Sequence, residues 1–266
     1  RIAAVRQIRR WLFGRSQKAD LQDHQWFDDW CERHVRDEDV LVGLSGFATQ
    51  TLLVARGRGA VTVCDRGSQH LAIQLELLRR EARRLRLRPP SFDSTPRVRD
   101  MLLDRELTEY DSCRVIVVPS TAVKQSFINA GTPPHKLHVI NYGADLSRFH
   151  PLQDERHRDP LAVISVGAFS YRKGFQFSLP AYRQVRRQGS TFTVVGALPD
   201  RDFAELMLID QESDVFLTGP VSRDRVAQMM RRSGVFVLAS IEEGLALVVL
   251  QAMASGLPVV VTRSTG

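Results

Sequence analysis

Residues 240–262 read SIEEGLALVVLQAMASGLPVVVT, and the rest of the chain can be placed relative to this stretch. Glycine is favoured just past a helix C-terminus and proline cannot continue a helix, so Gly256 and Pro258 end a predicted helix. That helix starts at Glu243. Because Leu, Ala, Val and Met surround it on all sides, we expect it to be buried between layers. The β-branched run 259–262 predicts a fully buried parallel strand.

Glu243 and Gln251 are the informative polar residues of this stretch. Eight residues on a helix place them about 12 Å apart along the axis and about 80° apart around it. Both could line one side of an elongated ligand, while the N–H groups and positive dipole of the helix N-terminus bind a phosphate between them. A nucleotide sugar has this shape. The alternative is structural: Glu243 interacts with the helix dipole, and Gln251 is a hydrogen-bonded amide in the core.

The composition limits the class of protein. With 266 residues, 43% of them hydrophobic, the chain can form one large or two ordinary domains. Cys31, Cys64 and Cys113 are odd in number and widely spaced, which argues against a disulfide framework or a zinc site and favours a reducing cytoplasm. The sequence contains no apolar run long enough for a transmembrane helix and no opening signal-peptide pattern. We therefore expect a cytoplasmic location.

The formal net charge of +7 is concentrated in two groups of arginines. They are Arg1, Arg6, Arg9 and Arg10, and then Arg79, Arg80, Arg83, Arg84, Arg86 and Arg88. An anionic lipid surface at the inner membrane face, an anionic substrate, nucleic acid or simple solvation of helix faces would each fit these groups. No nucleic-acid motif accompanies them, so nucleic acid is not the expected partner.

Strands and helices alternate twice along the chain. The first series has a short buried strand at 39–44, further strands at 60–64, 114–119 and 137–140, and helices at 1–38, 48–57, 71–86, 98–110 and 121–130. The second has strands near 162–166, 192–196, 214–218, 234–239 and 258–262. The polar run 146–160 separates a domain at 1–150 from a domain at 151–266. The pattern predicts an α/β protein with two doubly wound Rossmann-like domains facing a cleft, with ligands at the carboxyl ends of the strands.

Both domains look incomplete in sequence. The first begins without the strand and loop that usually open such a domain, and the chain stops at Gly266 inside a predicted turn. We therefore expect a fragment that lacks both termini.

The loop GAFSYRKG at 167–174 follows a predicted strand. Gly167 and Gly174 would let the backbone approach a ligand, while Arg172 and Lys173 offer a planar fork and a point charge to a pyrophosphate. A leaving nucleoside diphosphate needs such cations where no metal is bound. The alternative is a basic loop on the surface.

Several motifs together resemble the family-four retaining glycosyltransferases. They are VGxxxxRKG at 166–174, FLTGPV at 216–221, EGLALVVLQAMASGLPVV at 243–260, VVPS at 117–120 with the downstream SFxxAG, and NYGADLSRFHP at 141–151. The segment DRGSQH at 65–70 resembles the RGSxH variant of one branch. The motifs occur in the expected order over residues 39–266.

The resemblance implies the GT-B fold, with an N-terminal domain for the acceptor and a C-terminal domain for a nucleotide-sugar donor. It implies a retaining transfer of a hexose from a nucleoside-diphosphate sugar to a hydroxyl of a glycan or lipid-linked acceptor. No metal and no other cofactor would be needed.

The resemblance also implies roles for individual residues. Arg172 and Lys173 would hold the diphosphate, and Glu243 would contact the hydroxyls of the donor sugar. Gln251 would meet the ribose. The remaining donor-binding residues would be Gly167, Gly174, Gly219, Pro220, Val221, Gly244, Leu245, Ala246 and Leu247.

His70 is the predicted catalytic residue of the first half. With Asp65 it is an ionisable residue at the carboxyl end of a strand, and it could approach the acceptor or the O6 of the donor sugar. A helix cap or a surface position is the alternative.

Two departures from the family pattern keep a second hypothesis open. Gln251 stands where the family usually has glutamate, and Ala168 stands where it often has arginine. A carboxylate can accept both ribose hydroxyls, whereas an amide oxygen accepts one and the amide nitrogen must donate elsewhere. The second hypothesis is a catalytically weak or inactive nucleotide-sugar-binding protein of the same fold. A two-domain epimerase would need a carboxylate-rich N-terminal cleft, which the sequence does not show.

Overall fold

The structure, a computed structural model, describes residues 17–89, 95–152 and 158–266. The apolar pattern and arginines predicted to be helical within residues 1–16 lie outside the described residues, as do Pro90 and residues 153–157 of the polar run.

The first half builds five helices around a four-stranded parallel sheet in the described ranges. The strands, in the order β1-β2-β3-β4, are β1 (Val40–Leu44), β2 (Val61–Asp65), β3 (Val115–Val118) and β4 (Leu137–Val139). The helices are α1 (Gln17–Glu32), α2 (Thr49–Gly57), α3 (Leu71–Leu85), α4 (Pro96–Ser112) and α5 (Thr121–Asn129), with a 3-10 turn at Pro134–Lys136.

The second half builds a five-stranded parallel sheet. Its strands are β5 (Asp159–Val166), β6 (Thr191–Val195), β7 (Val215–Leu217), β8 (Ser233–Leu238) and β9 (Val259–Val261). Its helices are α6 (Phe175–Val185), α7 (Arg201–Leu206), α8 (Arg223–Arg232) and α9 (Leu247–Ala254), with 3-10 turns at Tyr171–Lys173, Ile209–Gln211 and Arg263–Thr265. The strand order is β7-β6-β5-β8-β9, so the direction of winding reverses beside β5. Ligands of doubly wound sheets bind at such a reversal.

The predicted α/β class with two parallel, Rossmann-like sheets is confirmed, and in the described ranges the reversal of strand order lies in the second sheet. The first sheet ends at Val139 and the second begins at Asp159, while the boundary predicted at residue 150 stays a prediction. No helix in the described ranges has the length and apolar character that crossing a bilayer requires.

Two strands predicted to be buried are edge strands. The side chain of Val42 in β1 is 65% exposed and that of Val260 in β9 is 59% exposed. Within the described part of the chain, each of these two strands has one hydrogen-bonded neighbour in its sheet. A continuous β-branched run shows that a segment is a strand, but it cannot show whether a neighbour covers both of its faces.

Two helix predictions also need correction. Helix α1 ends at Glu32, so residues 33–38 are not helical. The helix of the 240–262 stretch is α9, which begins at Leu247 rather than at Glu243. Helix α9 is not enclosed on all sides, because Ala252 is its buried residue whereas Met253 is 57% exposed.

Caps fix the starts of the helices that flank the sheet in the first half. Ser120 caps α5 by accepting the N–H of Val123, and Thr95 caps α4 ahead of Pro96, which the sequence placed in a loop. Helix α2 is capped by a distant carboxylate, because Asp28 accepts the N–H of Thr51 at 3.0 Å. Its N-terminus is therefore already occupied by a protein anion.

Helix α3 of the first half contacts the second half. Near its C-terminus, Glu81 Oε1 accepts from Gln176 Nε2 of α6 at 2.9 Å, and the Arg84 guanidinium lies 5.3 Å from the centre of the Phe177 ring. Leu85 packs against a hydrophobic core of the second half that includes Phe175 and Leu179. Within the second arginine group, Arg84 therefore contacts the other half of the chain while its side chain remains 54% exposed.

Candidate functional site

The candidate site lies where β5 and β8 end. The two strands are parallel neighbours, with Val163 opposite Val235 and Ile164 opposite Phe236, so the loops that follow them leave the same edge of the sheet. These loops are residues 167–174 and 239–246. They flank the crevice beside the reversal of strand order.

Glycines let the two loops approach each other closely. Gly174 has φ +78°, and a Cβ atom there would lie 1.7 Å from the carbonyl oxygen of Ala239. The N–H of Ile241 donates to the carbonyl oxygen of Arg172 at 3.0 Å. The side chain of Lys173 crosses Gly167, where a Cβ would lie 3.2 Å from the lysine Cε. The loops therefore form one unit, and its shape fixes where the lysine points.

A compact ionic cluster lies between the loops. Lys173 Nζ is 2.5 Å from Glu243 Oε1, which also accepts the hydroxyl of Ser240 at 3.0 Å. Arg172 Nη1 is 3.4 Å from Glu243 Oε2. The side chains of Lys173 and Glu243 are 13% and 10% exposed, so solvent screens their interaction weakly. The structure thus brings together three of the four residues predicted to be catalytic.

Glu243 owes its position to a loop rather than to a helix. It lies four residues before the first residue of α9, so the separations predicted from a common helix with Gln251 are wrong. Gly244, Leu245 and Ala246 belong to the same loop, and Leu247 opens the helix. Gln251 is half-buried in α9. The loop ends in a fixed position, because the N–H of Ala246 donates to the carbonyl oxygen of Thr265 at 2.8 Å.

The other predicted donor-binding residues follow β7. Gly219 accepts from the N–H of Gly196 at 3.2 Å, and a Cβ at Gly196 would lie 2.2 Å from the carbonyl oxygen of Gly167. Pro220 comes next in the chain, and Val221 packs against a hydrophobic core. The loops after β5, β6 and β7 thus contact one another in sequence along one edge of the sheet.

Loops of the first half close over the same crevice. Ser120 Oγ donates to the carbonyl oxygen of Gly244 at 2.7 Å, and a Cβ at Gly244 would lie 1.8 Å from the carbonyl oxygen of Gly67. The N–H of Gln69 donates to Glu242 Oε1 at 3.3 Å. The sequence motifs did not indicate Glu242 and Gln69 as site residues. The acidic pair at 242–243 was the available signal for Glu242.

His70 is buried in an aromatic environment. Its ring centre lies 5.1 Å from that of Tyr110 and 5.0 Å from that of Phe127, and its buried Nδ1 atom has no hydrogen-bond partner among the described residues. Burial, together with the positive charge of Arg66, lowers the pKa of His70 from 6.5 to about 4. The imidazole is therefore neutral at pH 7. Its catalytic role stays a prediction.

The depressed pKa of His70 predicts a pH dependence of stability. Between pH 6.5 and pH 4 the unfolded chain binds a proton at His70 that the folded chain does not, so the free energy of unfolding falls as the pH decreases through this range. The largest contribution is about 3 kcal/mol. In urea unfolding at pH 7 and pH 4.5, His70→Phe should lose less stability than the wild type.

The exposed His135 provides the control for this measurement, because its side chain lies in solvent rather than among core side chains. His135→Gln should lose as much stability as the wild type between the two pH values. An equal loss in His70→Phe and the wild type would contradict the prediction.

The described residues contain no group of three or more His, Cys, Asp or Glu side chains that could hold a metal ion.

The comparisons with known proteins agree with this geometry. Residues 160–266 match the family described as Glycosyl transferases group 1. The chain is 32% identical over 146 residues to WcaL of Escherichia coli strain K12, a protein named as a colanic acid biosynthesis glycosyltransferase. It is 32% identical over 161 residues to the sulfoquinovosyl transferase SQD2 of Arabidopsis thaliana. The alignments cover 51% and 56% of this chain but 36% and 31% of those proteins. The chain thus spans about a third of the length of these relatives.

Solved structures share the overall fold. Alr3699/HepE of Anabaena matches with a TM-score of 0.61 and 18% identity over 90% of this chain and 63% of its own. WaaG, a glycosyltransferase involved in lipopolysaccharide biosynthesis, matches with a TM-score of 0.63 and 17% identity over 91% of this chain and 64% of its own. These comparisons confirm the predicted GT-B fold and the predicted similarity to glycosyltransferases.

Proposed function

We propose that the protein transfers a hexose from a nucleoside-diphosphate sugar to a hydroxyl group of an acceptor, with retention of anomeric configuration and without a metal ion or other cofactor. The observation that carries this proposal is the ionic cluster of Arg172, Lys173 and Glu243 in the crevice between the β5 and β8 loops. The two cations can bind the phosphates of a donor, and the carboxylate beside them can accept hydrogen bonds from sugar hydroxyls.

The donor's diphosphate binds Lys173 and Arg172. The lysine ammonium has three N–H donors and directs one to Glu243, so two remain for phosphate oxygens. As the bond between the sugar and the diphosphate breaks, negative charge grows on the leaving oxygen, and these preorganised cations stabilise it.

The sugar and nucleoside take neighbouring positions. Glu243 accepts hydrogen bonds from sugar hydroxyls, while Gln251 meets the ribose and Gly219, Pro220 and Val221 flank the base. The leaving phosphate accepts the proton of the attacking hydroxyl on the face from which it departs, which retains the configuration. The Anabaena structure holds UDP and glucose, which supports a nucleotide sugar as the donor.

The acceptor binds from the side of the first half. The loops after β2 and β3 contact the β8 loop, so an acceptor held there would lie beside the donor. A glycan or lipid-linked acceptor is supported by the colanic acid and lipopolysaccharide biosynthesis in the names of WcaL and WaaG. We place the enzyme in the cytoplasm, where its arginines allow peripheral contact with anionic lipid at the inner membrane face.

The experiment that tests this function measures binding and turnover together. Calorimetry with UDP-, GDP- and ADP-sugars should reveal at least one ligand, and incubation with that sugar should release the nucleoside diphosphate. Nuclear magnetic resonance of the product should show the donor's anomeric configuration, and a chelator should leave the rate unchanged. The absence of any nucleotide-sugar binding would refute the proposal.

A second function is a nucleotide-sugar-binding protein that lacks catalysis. Gln251 favours it, because an amide binds ribose with fewer accepting contacts than a carboxylate. Binding without product in the same experiment would support this function and exclude the first.

A further inference from the structure

Glu242 lies beside the predicted site residue Glu243 and is fully buried. Its carboxylate accepts two hydrogen bonds from the first half of the chain. Oε1 accepts the backbone N–H of Gln69 at 3.3 Å, and Oε2 accepts from the side-chain amide of Gln74 in α3 at 2.9 Å. A single carboxylate of the second half is therefore bound by the loop after β2 and by the helix that follows it.

Glu242 also contacts the cation of the β5 loop. Arg172 Nη1 donates to the backbone carbonyl oxygen of Glu242 at 3.0 Å and lies 3.4 Å from its Oε2. Charge-assisted N–H···O bonds are usually about 2.7–2.9 Å, so the contact between the two side chains is long. Each Glu242 oxygen already accepts one hydrogen bond from the first half. The Arg172 side chain is 34% exposed, and its other N–H groups remain available to a ligand.

The amide of Gln74 has a fixed orientation. Its Oε1 accepts from Arg66 Nη2 at 2.8 Å, which directs its NH₂ group to Glu242. Arg66 in turn pairs with Glu106 at 3.1 Å. A continuous set of polar contacts therefore runs from the interior of the first half to Arg172.

We propose that Glu242 is a positioning residue that couples closure of the two halves to the availability of Arg172. In the closed arrangement, Gln69 and Gln74 each donate to one Glu242 oxygen, so the carboxylate pairs weakly with Arg172. The other N–H groups of the guanidinium then stabilise the charge that grows on the leaving diphosphate. When the halves separate, Glu242 loses both donors, pairs closely with Arg172 and draws the guanidinium away from the leaving diphosphate oxygen, while Lys173 still holds the bound donor. This inference rests on the proposed function and adds a condition to it: the arginine acts when donor and acceptor sides are together.

A double-mutant cycle tests the coupling in the full chain, with the nucleotide sugar that binds in calorimetry. Glu242→Gln and Gln74→Ala should each lower kcat about fivefold to tenfold while the donor KM stays within about twofold, because the positioning interaction acts in the transition state. The kcat of the double variant should be no more than about twofold lower than that of the less active single variant, since both changes break the same contact. Gln125→Ala removes an exposed glutamine that bonds to Asn129, and it should keep the wild-type kcat.

Hydrogen exchange adds a measurement to the double-mutant cycle that does not depend on turnover. The backbone N–H of Gln69 should exchange with solvent deuterium about tenfold or more faster in Glu242→Ala than in the wild type, because its acceptor is gone. Unchanged exchange would overturn the inference, as would an unchanged kcat in Glu242→Gln, an increase in donor KM alone, or effects that multiply in the double variant. If the wild type neither binds nor uses a nucleotide sugar, the proposed function fails, and the exchange measurement still decides whether Glu242 joins the halves.

Discussion

Lys173→Ala should lower kcat/KM for the donor by about tenfold to a thousandfold, because it removes a preorganised cation from the position where negative charge develops on the leaving diphosphate. In the structure, Lys173 Nζ is 2.5 Å from Glu243 Oε1 and the lysine stem crosses Gly167, so the charge is held in one place. The measurement is release of nucleoside diphosphate over a range of donor concentrations.

Three further variants make this result interpretable. Removing the lysine leaves Glu243 without its nearest cation, so Lys173→Arg serves as a second variant that keeps the charge and should recover part of the activity. Lys124→Ala removes a lysine from α5 and should match the wild type. Gln125→Ala, the control of the double-mutant cycle, checks that changes on this helix are neutral. Wild-type kcat/KM in Lys173→Ala would exclude the phosphate-binding role.

Gly174→Ala should reduce the free energy of unfolding by about 3–5 kcal/mol. Two costs combine at this position. An alanine at φ +78° is strained, and its Cβ would lie 1.7 Å from the carbonyl oxygen of Ala239, so the β5 and β8 loops would have to separate. Denaturant unfolding measures the loss, and the same separation should abolish donor binding.

Gly59→Ala is the matched control for Gly174→Ala. Gly59 has φ +92°, and a Cβ there would meet no atom within 4 Å. It therefore carries the backbone strain of about 1–2 kcal/mol without the collision. Equal losses in the two variants would show that the contact between the loops contributes nothing beyond strain.

The order of elements could be predicted from the sequence because it depends on local patterns. Buried β-branched runs, helical spacing of apolar residues, and the glycines and prolines between them indicated parallel sheets covered by helices. The same patterns could not show which strands lie at an edge. Val42 and Val260 look like core residues in sequence, yet both side chains are exposed, and each strand has one neighbour among the strands that the structure describes.

The candidate site divides in the same way. The sequence pointed to Arg172, Lys173 and Glu243 through their motifs, and the structure brought them together. The sequence pattern had predicted Glu243 to lie on a helix, because a glutamate ahead of an apolar run is typical of a helix N-terminus. The helix begins at Leu247 instead. In the loop before it, the N–H of Ala246 donates to the carbonyl oxygen of Thr265 rather than to a helical partner.

The sequence by itself determined the α/β class, the two alternating series and the residue types that could hold a diphosphate, because each is set by neighbours within a few positions along the chain. Only the tertiary structure decided that Glu242 binds Gln69 and Gln74 across the crevice, and that His70 is neutral among aromatic rings. Hydrogen bonds between distant residues and the loss of water around a titratable group depend on packing in three dimensions, which no local pattern encodes.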